Sequence, residues 1–295
     1  MQRPDAILIA GPTASGKSKL AIEEALRWEG EIVNTDSMQI YPVLDVLTAR
    51  PDEEDLKRVP HHLYGFAELS EPYSVARYLE DAQLIASDIW HRGRIPVFVG
   101  GTGLYFRGLL EGLAETPEIP ADLRAQIRSD LERFGSEKLH QKLTELDPAG
   151  AANLRPGDGH RIGRALEVIS ATGKPLSHFQ NLPHSEPILV GKNARKIVLM
   201  PERNVLHERI NLRTDWMIEN GAIDEVRVLL KLELPADSMV LKAIGVSQLG
   251  SFIHGKLNIN QAKEQIKAAT RQYAKRQSTW FNGQFDQSWH FREVF

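Results

Sequence analysis

Residues 6–18 read Ala-Ile-Leu-Ile-Ala-Gly-Pro-Thr-Ala-Ser-Gly-Lys-Ser, and no other stretch of the chain restricts its fold as tightly. Five apolar residues, Ala6 to Ala10, run without alternation and stop at Gly11-Pro12, which suits a strand buried on both faces of a parallel sheet. Gly11, Pro12, Thr13, Ala14, Ser15, Gly16, Lys17 and Ser18 then match G-x-x-x-x-G-K-[ST], and a helical pattern from Lys17 to Trp28 follows. Glycines let the backbone curl so that several N–H groups converge on anionic oxygens. The start of the helix adds partial positive charge. Lys17 supplies a mobile cation for the terminal phosphate, and the Ser18 hydroxyl is a candidate Mg²⁺ ligand. The loop reports a di- or triphosphate, not the molecule that carries it.

The pattern repeats downstream. Glu31 to Asp36 reads as a strand, and an acid- and proline-rich loop runs from Pro42 to Pro60. Ser74 reads as the N-cap of a helix whose apolar positions Val75, Leu79, Ala82, Ile85, Ala86 and Ile89 recur at helical spacing until Gly93. Ile95 to Val99 is another apolar strand, closed by Gly100-Gly101. Strand, helix, strand, helix, strand means parallel βαβ units. From Glu115 to Arg195 the pattern is helical without a convincing strand, and Lys196 to Met200 resumes the strand pattern. The expected fold is therefore α/β: a P-loop doubly wound parallel sheet, with 1–114 and 196–295 as the core. A helical insertion domain occupies 115–195, and the C-terminal region is helical, its last helix running from about Asn260 to Gly283.

Composition narrows the function classes. Cysteine is absent, which excludes disulfides, thiolate catalysis and cysteine-ligated zinc and fits a reducing cytoplasm. No apolar run approaches the roughly 18 residues of a membrane helix, and the polar start of the chain carries no signal-peptide pattern. With 36 Lys and Arg against 39 Asp and Glu, the net charge is −3, so a nucleic-acid partner would have to meet a local basic patch.

Hydrolytic P-loop proteins hold Mg²⁺ with an acid after a second apolar strand. Here Ile95 to Val99 ends in Gly-Gly, and the acid at a strand end is Asp36. It suits a base for an acceptor nucleophile, a helix N-cap or a ligand of a Mg²⁺-bound water. A small-molecule kinase and a non-catalytic RNA-binding P-loop protein are the alternatives this leaves.

Gly11 to Ser18, then Asp36-Ser-Met-Gln-Ile-Tyr41, then Gly100-Gly-Thr-Gly-Leu-Tyr105 resemble the bacterial tRNA dimethylallyltransferases. So do Arg161-Ile-Gly-Arg-Ala-Leu-Glu-Val168, Thr172-Gly-Lys-Pro175 and Tyr273-Ala-Lys-Arg-Gln-Ser-Thr-Trp-Phe281. The segments span nearly the whole chain, in order. The resemblance implies that the loop holds the diphosphate of dimethylallyl diphosphate, with Mg²⁺, in a monomeric cytoplasmic enzyme. The acceptor would be the exocyclic amine of the adenosine 3′ of the anticodon, in tRNAs reading codons that begin with U. Asp36 is then the general base, Thr102 contacts the same adenosine, and Ser37, Met38 and Gln39 join them as tRNA-binding residues. Arg209 and Arg213, on one helix face, match arginines expected near the diphosphate, although Glu208 and Asp215 offer them partners on the same helix. The loop is also of a kind that binds nucleotides such as ATP.

For the RNA, Arg124 and His160, Arg161, Ile162, Gly163 and Arg164 of the insertion match the anticodon stem-loop contacts the resemblance implies. His160 stands where the family usually has Gln, Val246 where it often has Tyr, and Asn282 where it commonly has Arg. Independently, Lys263, Lys267, Arg271 and Lys275 recur every four residues on the last helix, joined by Arg276 and opposed by Glu264. Such a stripe is either a solvated face or, with Tyr273, Trp280 and Phe281 interleaved, a phosphate-contacting one.

Overall fold

The computed structural model describes residues 2–293; Met1, Val294 and Phe295, at the outer limits of the expected core, lie outside the described residues. In chain order the elements are β1 (Ala6–Ala10), α1 (Lys17–Trp28), β2 (Gly30–Asn34), α2 (Asp45–Thr48), α3 (Glu53–Arg58), β3 (His61–His62), α4 (Val75–His91), β4 (Ile95–Gly100) and α5 (Gly103–Glu111). Then come α6 (Ala121–Leu146), α7 (Pro148–Ala152), α8 (Gly159–Thr172), α9 (Leu176–Gln180), β5 (Ala194–Leu199), α10 (Arg203–Glu219), α11 (Ala222–Lys231), α12 (Val246–Ile253), α13 (Ile259–Gln284) and β6 (His290–Arg292). The six strands form one all-parallel sheet in the order β3-β2-β4-β1-β5-β6.

The unbroken apolar runs are explained by layers on both faces. Ile7, Ile9, Ile32, Val97 and Val99 pack with Leu20, Ala21 and Ala25 of α1. Leu8, Val33 and Phe98 point the other way, into Tyr78, Ala82, Phe106 and Phe281 of α4, α5 and α13. The doubly wound P-loop fold expected from the sequence is borne out. Ser74 caps α4, its side chain accepting the Arg77 N–H at 3.1 Å.

Three local expectations change. The stretch 42–60 is not all loop: it holds α2 and α3, too short for helical periodicity to register, and α3 is capped by Asp52. β2 ends at Asn34 rather than Asp36, because the Asn34 side chain takes hold of the Asp36 backbone and turns the chain out of the sheet. Edge strands β3 and β6, two and three residues long, are below the length at which a pattern is readable. β3 is anchored by His62, whose Nε2 lies 2.7 Å from Glu31 Oε2.

The chain packs as two units, 1–110 with 188–295, and 111–187; the sequence pattern set the insertion at 115–195. The insertion has its own core of Ile127, Leu139, Leu143, Ala151, Ile162, Ala165 and Leu166. Its long helix α6 breaks at Gly135, which takes non-helical angles (φ 78°, ψ 166°). In the larger unit, helices α10 to α13 build a further core around Met217, Val226, Leu249 and Ile266. Ile40, Tyr41, Leu44 and Leu47 of the segment after Asp36 are buried in it. Among the described residues, no helix is long and apolar enough to cross a membrane.

The separate core predicts where a cavity is felt. Leu143→Ala, at a fully buried site, is expected to cost about 2–5 kcal/mol. Hydrogen exchange should show protection lost across α6 and α8 and kept in β1 and β4; loss spread evenly over both units would contradict it.

Candidate active site

A parallel sheet brings every strand's C-terminal end to one edge. The loop after β1, the turn after β4 and the segment after β2 therefore meet, since Ala10 lies opposite Gly100 and Asn34 opposite Val99. In the first loop Ala14 (φ 63°) and Gly16 (φ 89°) are left-handed, which turns successive N–H groups into one concavity. The Gly16 conformation is one a side chain rarely adopts. Ser15 is buried, and its hydroxyl has no hydrogen-bond partner. Ser18, by contrast, is exposed at the loop's mouth.

Lys17 donates to the Pro12 carbonyl at 3.3 Å. Its side chain keeps some accessible surface, but the ammonium sits inside the loop. Desolvation there pulls its pKa down to about 8; the Asp36 carboxylate opposes the shift and Arg213 adds to it. Arg213 donates to Thr13 Oγ1 at 2.9 Å, and burial lowers it to about 10 against the pull of Asp36. Arg209 lines the same cavity of about 310 Å³, with Thr13 to Ser18, Asp36 and Gln39. Asp215, on the same helix, faces Lys263 at 3.3 Å and Lys267 at 3.1 Å.

Asp36 is half-buried and held from both sides. Asn34, fully buried, donates through Nδ2 to the Asp36 carbonyl at 3.0 Å and accepts the Asp36 N–H at 2.9 Å. Asp36 Oδ1 accepts the Met38 N–H at 3.0 Å, so the carboxylate ends an Asx turn rather than capping a helix. Thr102 Oγ1 accepts the Ser37 N–H at 3.0 Å, and the Thr102 N–H donates to the Thr35 carbonyl at 3.1 Å. Thr102 and Asp36 are thus tied to one another's segments. Gln39 is engaged elsewhere: its Nε2 donates to the Thr48 and Ala49 carbonyls at 2.9 and 2.8 Å.

A second cavity of about 290 Å³ shares Thr13, Ala14, Asp36, Thr48 and Arg213 with the first. Its walls include Met38, Leu47, Met217, Ile244 and Ile266, so an apolar chamber adjoins the anion site. The sequence reading missed this chamber, because its walls come from four separate segments with ordinary apolar periodicity. It also missed Asn34, a buried polar residue on an apolar strand, and that anomaly was the available signal.

Elsewhere the expected RNA contacts divide. Ile162 and Gly163 are corrected: both are buried, Ile162 within the insertion's core, because the period of α8 turns them inward. His160 and Arg161 are exposed on the other side, Arg161 lying 3.5 Å from Asp158. Arg164 pairs with Glu167 at 3.2 Å, and Arg124 is half-buried in the first turn of α6. On α13 the stripe is mostly an internal seam. Lys263 and Lys267 flank Asp215 of α10, and Arg271 donates to Asn211 at 2.8 Å, since Asn211 and Asp215 are themselves four apart. The Lys267 side chain is only 13% exposed, whereas Lys275 and Arg276 are exposed.

Against known proteins, the family model described as IPP transferase matches residues 39–284. The chain belongs to the IPP transferase family. It is 51% identical over 286 residues to the tRNA dimethylallyltransferase of Rhizobium johnstonii, covering 97% of this chain and 96% of that one. With that of Agrobacterium fabrum it shares 48% over 289 residues, covering 98% and 96%. Among solved structures it resembles the full-length tRNA isopentenylpyrophosphate transferase of Bacillus halodurans, with TM-score 0.70, 34% identity, and 98% and 90% of the two chains covered. It also resembles a eukaryotic dimethylallyltransferase acting on tRNA, with TM-score 0.79, 27% identity, and 98% and 73% covered. For an IPP transferase, an anion loop beside an apolar chamber is the expected pairing, and the kinase reading gains nothing from these relatives.

The Lys17 environment yields a pH prediction. An anion in the loop favours the charged ammonium, so binding at pH 8–9 takes up protons. Affinity for inorganic pyrophosphate should fall above about pH 8, by up to roughly tenfold per unit. Calorimetry in two buffers of different ionisation enthalpy checks it; equal heats in both would refute the assignment.

Proposed function

We propose that this chain transfers a dimethylallyl group from dimethylallyl diphosphate to the exocyclic amine of the adenosine next to the anticodon of tRNA. Kinship to tRNA dimethylallyltransferases over nearly the full length supports the reaction. The observation that carries its chemistry is the meeting of three things around Asp36: a phosphate loop, an apolar chamber and a carboxylate.

The diphosphate is held by the loop's N–H groups, Lys17 and Arg213, and the five-carbon group lies in the chamber. The amine's nitrogen attacks C1 of the allyl group, the C1–O bond breaks, and its electron pair leaves on diphosphate. Preorganised donors that stabilise this growing charge lower the barrier. The adenine amine is a poor nucleophile because its lone pair is delocalised into the ring. Asp36 accepts its proton during attack; Asn34 holds the Asp36 backbone and the Met38 N–H holds the carboxylate. Thr102 positions the base from the neighbouring turn. The residues fit Mg²⁺, because this ion usually keeps several waters and takes few protein ligands. The Ser18 hydroxyl at the loop's mouth would serve as the protein ligand. Bound there, Mg²⁺ supplies charge neutralisation at the diphosphate.

All the reacting groups lie within one unit of one chain, which supports action as a monomer, and a tRNA substrate supports a cytoplasmic setting. The base must leave its stack, a cost of a few kcal/mol that is smaller in a loop than in a duplex. His160, Arg161, Lys275 and Arg276 are the exposed groups proposed to meet the RNA.

Incubation with unmodified tRNA and labelled dimethylallyl diphosphate should put label into RNA with Mg²⁺ and without ATP. A requirement for ATP hydrolysis would sink the proposal. Asp36→Ala should slow the single-turnover step roughly 10²–10⁴-fold while pyrophosphate still binds; a near-normal rate would leave Asp36 a structural turn residue.

The two ends of the α13 stripe should behave differently. Lys275→Gln is expected to flatten the slope of log tRNA affinity against log salt by about 0.7–0.9. Lys267→Gln should leave that slope alone and lower stability by about 1 kcal/mol or less. The Asp215 side of this seam has a pH signature. Burial of Asp215 raises its pKa, but Lys267 and Lys263 outweigh that and hold it below the usual carboxylate range. The seam's contribution is therefore present at neutral pH and is lost as pH falls through that depressed value.

A further inference from the structure

Gln277, on α13, is 6% exposed, and both ends of its carboxamide are used. Oε1 accepts the Thr13 N–H at 2.9 Å, and Nε2 donates to the Gly101 carbonyl at 2.9 Å. Thr13 belongs to the loop after β1 and Gly101 to the turn after β4. One buried side chain from a third element therefore joins the anion-holding loop to the turn that carries Thr102. Gly101 is fitted to it: a Cβ there would lie 2.1 Å from Gln277 Nε2 and 3.4 Å from Asp36 Oδ2. From Gly101 the contacts continue through Thr102 to Ser37, next to Asp36.

We infer that Gln277 is a positioning residue that couples the two substrates, so that filling the phosphate loop sets the acceptor turn beside Asp36. The inference rests on the assignment of donor and acceptor sites made above. Anion binding fixes the loop and with it the Thr13 N–H; Gln277 follows, and Gly101 follows Gln277. An amide is required because one end must accept and the other donate. An ionised glutamate offers no donor, and a methionine offers no donor and only a weak acceptor. Burial makes a broken link costly, since an orphaned N–H or carbonyl has no water to turn to. Such coupling is reciprocal: each substrate tightens the other by the same factor.

The test reads binding. The dissociation constant of an unmodified tRNA anticodon stem-loop is measured with and without saturating inorganic pyrophosphate and Mg²⁺. The proteins compared are wild type, Gln277→Met, Gln277→Glu and Gly101→Ala, with Tm recorded for each. The wild type should bind RNA about fivefold or more tighter with pyrophosphate present, and each variant's factor should fall towards 1, while each ligand bound alone changes by less than about threefold. Gly101→Ala combined with Gln277→Met should lose no more than either alone, because both cut one link. Should Gln277→Met fail to fold, Gln277→Glu and Gly101→Ala carry the same measurement. A wild-type factor of 1, or a full factor retained in well-folded variants, overturns the coupling and leaves the transferase reading intact. A wild type that transfers no label into tRNA removes that reading and the inference with it.

Discussion

Parallel pairing of β1, β4 and β2 is the constraint on which the site depends. Parallel strands end at one edge, and their register fixes which ends are neighbours. Ala10 lies opposite Gly100 and Asn34 opposite Val99, so the phosphate loop, the Gly101–Thr102 turn and the Asp36 segment emerge within reach of one another. No single one of these segments makes a site. On the reading proposed above the loop would hold anions and the Asp36 segment would accept protons, while the turn ties itself to Ser37. The register converts three local motifs into one geometry, and the layers above and below the sheet hold that register by burying both its faces.

Charge then makes the assembled site unequal to itself. Three cations, Lys17, Arg209 and Arg213, line the loop's cavity with one carboxylate, and burial lowers the pKa of Lys17 and Arg213. Desolvated charge of this kind is costly unless something of opposite sign completes it. In the reaction proposed above a diphosphate would do so, and its departure would carry negative charge onto groups already arranged to receive it. Beside it the second cavity is walled largely by apolar side chains, Met38, Leu47, Met217, Ile244 and Ile266, with Lys242 and Arg276 also in its lining. On that proposal the polar and apolar halves of an allylic diphosphate would meet two adjoining surfaces that share Thr13, Asp36 and Arg213.

What was legible in the sequence follows from how local each signal is. α1 is readable to the residue, because a strand, a glycine-rich loop and an apolar stripe mark both of its ends. The same holds for α4 with its Ser74 cap. β3 and β6 were not legible, since two or three residues carry no period and owe their place to neighbours such as Glu31. The α13 stripe shows the limit most plainly. Spacing by four correctly placed Lys263, Lys267 and Arg271 on one side of a helix, but spacing is silent about what that side faces. It faces Asn211 and Asp215, which carry the same spacing on α10, so complementary periods of two distant helices make a seam. Ile162 and Gly163 fell to the same cause, since a motif can be contiguous in sequence while the helix divides it between core and solvent.

Asn34 and Gln277 show where function hides from motif reading. Each is a buried amide among apolar neighbours, and neither is fitted to touch the reacting atoms. Asn34 grips the backbone on both sides of the Asp36 peptide unit, so the base cannot swing with its loop. Gln277 does for two segments what Asn34 does for one. A buried amide is stable only when its donors and acceptors are met, which means that the surroundings must adopt one arrangement. A carboxylate could in principle reach an amine from a flexible loop, but proton transfer during attack needs it within hydrogen-bond reach as the bond forms. Rigid placement by buried amides is how a loop at a sheet edge acquires the precision of the sheet itself.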